Sequence, residues 1–143
     1  MSTPMEGDRV EPHGKLPVAL AVDDEPQVLK LMAQGLEAQG FEVLSAHSRA
    51  EAEQVADQAD SLDVLVTDIF LGDGWGGELA FHLQETHPGL AVVFISGYVG
   101  EDPVLRHGIQ SHMVFLEKPF TIAQLLEAVK EAMDPNPPPR SDD

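Results

Sequence analysis

The chain has no cysteine, which excludes disulfides, thiolate metal sites and cysteine nucleophiles. Cations are scarce too: 8 Lys and Arg stand against 25 acids, for a formal charge of −17. Phosphate backbones are bound by clustered cations, so a nucleic-acid surface is not expected, and a charged partner should be basic or metal-bearing. Long apolar runs are missing as well, and no stretch is long enough to span a bilayer. Met1 to Glu11 is polar and acidic, without the apolar segment of a signal peptide. These absences together predict a soluble, cytoplasmic protein with no membrane partner.

What is present is enough for one ordinary domain: 143 residues, 43% of them hydrophobic. Residues 1–15 lack periodicity and carry Pro4, Gly7, Pro12 and Gly14, so they read as a disordered arm. Residues 134–143 are a proline-rich acidic tail that cannot pack a core. Between them, five short apolar runs alternate with five amphipathic stretches. The runs are Leu16–Val22, Phe41–Ala46, Val64–Val66 and its continuation to Asp68, Leu90–Ile95 and Met113–Glu117. The expected helices run from Pro26 to Gly40, Arg49 to Ala59, Glu78 to Glu85, Asp102 to Ile109, and from Thr121 to Met133. Continuous apolar strands suit a sheet buried on both faces, so the alternation predicts an α/β fold with a parallel sheet and right-handed crossovers. Gly72 to Gly77 reads as a loop, too glycine-rich for a strand or a helix interior.

Four of these strands end in polar residues: Asp23-Asp24, Asp68, Ser96 and Lys118. In a parallel sheet such ends share one edge, where ligands gather. Three carboxylates in one cleft repel one another unless a cation joins them, and hard oxygen ligands suit Mg²⁺. A lysine and a hydroxyl beside them form a site for a tetrahedral anion, which makes phosphoryl transfer to Asp68 the natural chemistry.

With Asp23-Asp24, Asp68, Ser96 and Lys118-Pro119-Phe120 in this order and spacing, the stretch from about Leu16 to Met133 resembles the receiver domains of two-component response regulators. The resemblance implies a flavodoxin-like, doubly wound sheet in the order 2-1-3-4-5. It implies that Asp68 accepts a phosphoryl group from a histidine kinase or phosphotransfer protein. It also implies Mg²⁺ held by Asp24 directly, by Asp23 mainly through water, by Asp68, and by the backbone carbonyl of Phe70. Ser96 and Lys118 are implied to contact the phosphoryl oxygens, with Phe115 as the aromatic switch position. Phe70 and Tyr98 are implied to flank the phosphoryl group. Phe70 has no group with which to hold an attacking water and Tyr98 can cover the phosphorus, so slow self-dephosphorylation is expected. A downstream protein is expected at the face of the fourth helix, fifth strand and fifth helix, because no output domain fits in the tail. The chain departs from the family in two places. The family's proline and single glycine after the acceptor are replaced by the longer Gly72–Gly77 loop, and Phe115 lacks a tyrosine's hydroxyl.

Other readings weigh less. Gly72, Gly74 and Gly77 match GxGxxG, but the first of them comes four positions after Asp68 instead of directly after the strand, and no acid ends a following strand at the ribose-binding distance. The histidines at 13, 47, 82, 87, 107 and 112 lack metal-ligand spacing and read as surface or cap residues. Trp75 reads as a packed lid over its loop. A Mg²⁺-dependent phosphohydrolase with an aspartyl-phosphate intermediate is the alternative from another class, yet the DxDx[TV] spacing of such enzymes is missing after the first strand. The receiver portion of a hybrid histidine kinase is a third possibility. The expected role is therefore a phosphoryl acceptor, with no enzymatic activity beyond self-phosphorylation and self-dephosphorylation.

Overall fold

Strands β1 (Val18–Val22) and β3 (Val64–Asp68) form the centre of the fold because every residue in both is buried. The computed structural model describes residues 16–97 and 114–134. Strands β2 (Glu42–Ala46), β6 (Ala91–Ser96) and β7 (Val114–Glu117) complete a five-stranded sheet in the order β2-β1-β3-β6-β7. All its pairings are parallel. Numbered within this sheet the order is 2-1-3-4-5, as expected for the flavodoxin-like architecture.

Alternation along each central strand sorts the side chains into two layers. Val18, Leu20 and Val22 join Leu65, Leu79 and Leu83 on one face, while Ala19, Ala21, Val64 and Val66 join Met32, Leu36 and Leu125 on the other. The first layer packs under α2 (Arg49–Gln58) and α3 (Gly76–Thr86), the second under α1 (Pro26–Ala38) and α4 (Ile122–Met133). Each fully buried Val, Leu or Met contributes about 1.5–3 kcal/mol. That sum over both faces fixes the register of the central strands, since a slip by one residue would exchange the two layers.

Helix ends follow local chemistry. Pro26 opens α1, where its missing N–H costs nothing. Thr121 and Gln124 form a reciprocal capping box at α4, with the Gln124 N–H donating to the Thr121 hydroxyl at 3.1 Å and the Thr121 N–H to Gln124 Oε1 at 2.9 Å.

Two expectations need correction. The first strand starts at Val18, and Leu16 is exposed, because Pro17 precedes the first ladder residue. The glycine-rich segment is not a loop. Phe70–Leu71 (β4) pairs antiparallel with Gly74–Trp75 (β5), and α3 begins at Gly76 rather than at Glu78. A glycine run leaves both turn and helix open, and here tertiary contacts select them. The expected helix Asp102–Ile109 lies outside the described residues.

Candidate functional site

The parallel register puts the strand ends side by side. Asp68 pairs with Ile95, one residue before Ser96, and Val22, one residue before Asp23, pairs with Thr67. Ser96 pairs with Glu117, and its carbonyl accepts the Lys118 N–H at 2.8 Å. Asp23, Asp24, Asp68, Ser96 and Lys118 therefore all reach one sheet edge. The Lys118–Pro119 peptide is cis.

Asp23 and Asp68 are buried, whereas Asp24 is exposed. One oxygen from each of the three carboxylates lies within 4.8 Å of the others. Lys118 Nζ faces Asp68 Oδ2 at 3.0 Å, Glu25 Oε1 at 3.1 Å and Asp23 Oδ2 at 3.3 Å. The other Asp68 oxygen accepts the Phe70 N–H at 3.1 Å, and Asp23 Oδ1 accepts the Glu25 N–H at 2.8 Å. Burial pushes the Asp23 carboxyl above its ordinary range and the negative charge of Asp68 adds to this, against the Glu25 N–H and Lys118, which pull it down. Burial also works against the charge on Lys118, but its bonds to Asp68 and Glu25 and the charges of Asp68 and Asp23 outweigh that, and its affinity for a proton is raised.

The donor set fits a hard divalent cation. Asp23 Oδ2 is buried without a hydrogen bond, and among the described residues the Lys118 ammonium, reaching over from the end of the edge strand β7, faces it at 3.3 Å. Such an oxygen is costly to bury unless a cation takes it up. With Asp24 and Asp68 beside it, the site offers all-oxygen coordination of the kind Mg²⁺ prefers.

The expected switch residue Phe115 sits on the edge strand β7, partly exposed, with its ring stacked on Phe94 at 5.5 Å between centroids. Phe70 is 48% exposed beside the acidic cluster. Tyr98 lies outside the described residues. Trp75 is half-buried and packs against the α2/α3 core layer, as expected of a lid. A shallow cleft of about 500 Å³ opens beside the site, lined by Glu25, Val28, Leu31, Gly97, Lys118 and Phe120.

Two contributors escaped the sequence reading. Glu25 bonds Lys118 across 93 positions of chain, and no local pattern signals that pair. Gly76 packs so closely under the acceptor that a Cβ there would collide with the Asp68 carbonyl oxygen, and its N–H donates to Ile69 O at 2.6 Å. The Gly76-Gly77 pair at a helix start was the available signal. Gly76→Ala should therefore lower stability by about 1–3 kcal/mol through overpacking, read from the urea midpoint. An unchanged midpoint would show that the helix start shifts freely.

Comparison with known proteins points the same way as the geometry. The model of the response regulator receiver domain matches residues 19–130. The sensor kinase CckA of Brucella abortus is 32% identical over 117 residues, covering 80% of this chain and 12% of that protein. The chain spans 12% to 27% of the length of the curated relatives it matches first. A response regulator receiver protein from Sinorhizobium medicae superposes with a TM-score of 0.75 at 31% identity, covering 83% of this chain and 95% of that one. A Burkholderia pseudomallei response regulator solved with a phosphorylated aspartic acid and a calcium ion superposes at 0.69 with 26% identity, covering 78% of this chain and 65% of that one.

Proposed function

Since the chain belongs to the response regulator receiver family, we propose that Asp68 accepts a phosphoryl group from a histidine kinase or phosphotransfer protein. The observation that carries this is the convergence of Lys118 on Asp68 Oδ2 at 3.0 Å, with Asp23 and Asp24 grouped around the same carboxylate. The receiver unit spans residues 16–133, between the arm of residues 1–15 and the tail of residues 134–143.

An Asp68 oxygen attacks phosphorus as the bond to the donor's nitrogen or oxygen breaks, and the departing group keeps the electron pair. Charge accumulates on the phosphoryl oxygens, and Lys118 and Ser96, which end adjacent strands at this edge, would meet it. The Phe70 N–H holds the Asp68 carboxylate in its rotamer, limiting the reorganisation needed at the moment of transfer. Asp23, Asp24, Asp68 and the Phe70 carbonyl would hold Mg²⁺, which when bound supplies charge neutralisation for both carboxylate and phosphoryl oxygens. The exposed, apolar Phe70 offers nothing to position an attacking water, so the acyl phosphate is long-lived. Signalling leaves through a protein partner at the edge around Phe115, and the chain acts as an acceptor in the cytoplasm rather than as a turnover enzyme.

The testing experiment is incubation with Mg²⁺ and acetyl phosphate followed by intact mass. One added phosphoryl group is the expected result, and continuous phosphate release with no labelled protein would favour a phosphohydrolase. Asp24→Ala should weaken Mg²⁺ binding by at least about tenfold in calorimetry, because losing a direct ligand costs no less than losing an outer-shell partner. Unchanged affinity would remove Asp24 from the metal site.

A further inference from the structure

The hairpin that follows the acceptor is tied to α2, the helix beside α3 on the same face of the sheet. Asp73, at the hairpin's tip, accepts the Arg49 N–H at 2.8 Å and the Ala50 N–H at 3.0 Å, the first two free donors of α2. The third, the Glu51 N–H, goes to the Ser48 hydroxyl at 3.1 Å. The N-terminus of α2 is thus capped by two residues, one local and one 24 positions away. These donors hold the Asp73 carboxylate below its ordinary range.

The tie also runs in the opposite direction. The Arg49 side chain lies across Gly74, where a Cβ would come within 2.8 Å of its Cδ, and its Nη1 donates to Glu78 Oε1 at 2.6 Å in the first turn of α3. Its Nε donates to Glu53 Oε2 at 3.1 Å, which fixes the guanidinium in place. Asp73 grips α2 while Arg49 of α2 reaches over the hairpin to α3. The hairpin consists of two strands of two residues each, too short to hold its own geometry in water. Its base is held by Gly76 N–H on Ile69 O, and its tip by the clasp. Phe70 lies between these two anchors.

We propose that Asp73 and Arg49 form a positioning clasp that sets the Phe70 backbone for the metal and acceptor site, so that α2 tunes Mg²⁺ affinity without touching the ion. This rests on the receiver reading of Asp68 and on Phe70 offering its carbonyl to the metal. The Phe70 N–H already binds Asp68 Oδ1 at 3.1 Å, so displacement at Phe70 disturbs the carboxylate and the carbonyl together. Asp73 is a positioning residue here, because it contacts neither Asp68 nor the other carboxylates in any bond described above.

The test compares two caps of the same helix. Asp73→Ala should raise the Mg²⁺ dissociation constant by about tenfold in calorimetry on the full chain, the effect typical of groups that orient metal ligands. Ser48→Ala removes a cap from the same helix end without touching the hairpin, and should change that constant by less than about twofold. Asp73→Asn, which keeps one acceptor oxygen, should fall between. Urea melts without Mg²⁺ place all variants on one stability scale. If Asp73→Ala leaves the affinity within about twofold of the parent, or Ser48→Ala weakens it equally, the clasp is only a helix cap and the proposal is overturned. Should Asp73→Ala not fold, Asp73→Asn decides by the same comparison. A parent protein that binds no Mg²⁺ would instead overturn the receiver reading beneath it.

Discussion

Asp68→Asn should gain no phosphoryl group from acetyl phosphate under conditions that label the parent fully. The substitution preserves shape, and the new amide oxygen can still accept the Phe70 N–H now bound at 3.1 Å. Its other end, however, would present an NH₂ to the Lys118 ammonium, where the parent places a carboxylate oxygen at 3.0 Å. A carboxamide has no anionic oxygen with which to attack phosphorus. The labelling rate should fall by at least about a thousandfold, equivalent to about 4 kcal/mol of barrier. Intact mass over a time course measures it, with circular dichroism confirming the fold. Labelling at the parent's rate would move the acceptor to another carboxylate, with Asp23 and Asp24 the first to be checked.

The second large effect is expected at Lys118. Lys118→Met keeps much of the stem's length and removes a cation that faces Asp23, Glu25 and Asp68 within 3.3 Å. Removing one preorganised donor from developing charge typically costs about a hundredfold or more in rate. At saturating Mg²⁺, phosphorylation by acetyl phosphate should slow by about that factor, or about 2.7 kcal/mol. The variant should also be less stable in metal-free buffer, by about 1–3 kcal/mol, because Asp23 is left buried and uncompensated. The lysine side chain is itself 20% exposed, which argues for the lower part of that range. Added Mg²⁺ should return more stability to the variant than to the parent, since binding to the native state stabilises it by mass action. Two measurements check this: the pseudo-first-order labelling rate, and urea midpoints with and without Mg²⁺. A rate lowered by less than about threefold would leave Lys118 a structural partner of the acids and not a phosphoryl contact.

How much of this was legible in the chain depends on the range of the interaction. The runs ending at Val22 and Asp68 are strands because they are continuously apolar, and both are buried throughout. The Thr121–Gln124 cap is legible because its two members lie three positions apart. The acidic edge was legible too, since a parallel sheet brings all strand ends to one side whatever the details of packing. Glu25 is different. Its neighbours in sequence show only an acidic turn, and its bond to Lys118 depends on where β7 lies in the sheet. Asp73 likewise reads as one more polar residue among glycines until α2 is placed beside it.

The sequence by itself determined the strand cores, the five-strand order implied by the resemblance, and the identity of the residues at the acidic edge. The strand cores and the edge residues follow from side-chain chemistry that acts over a few positions, whereas the strand order came with the family resemblance. Tertiary structure decided the rest: that Gly72–Gly77 folds into a hairpin and a helix start, that Asp23 Oδ2 is buried facing Lys118, and that Asp73 caps α2. Glycine carries no side chain to favour one backbone state. A carboxylate's partner is set by distance in space and not along the chain. Such features exist only once the helices have packed on both faces of the sheet.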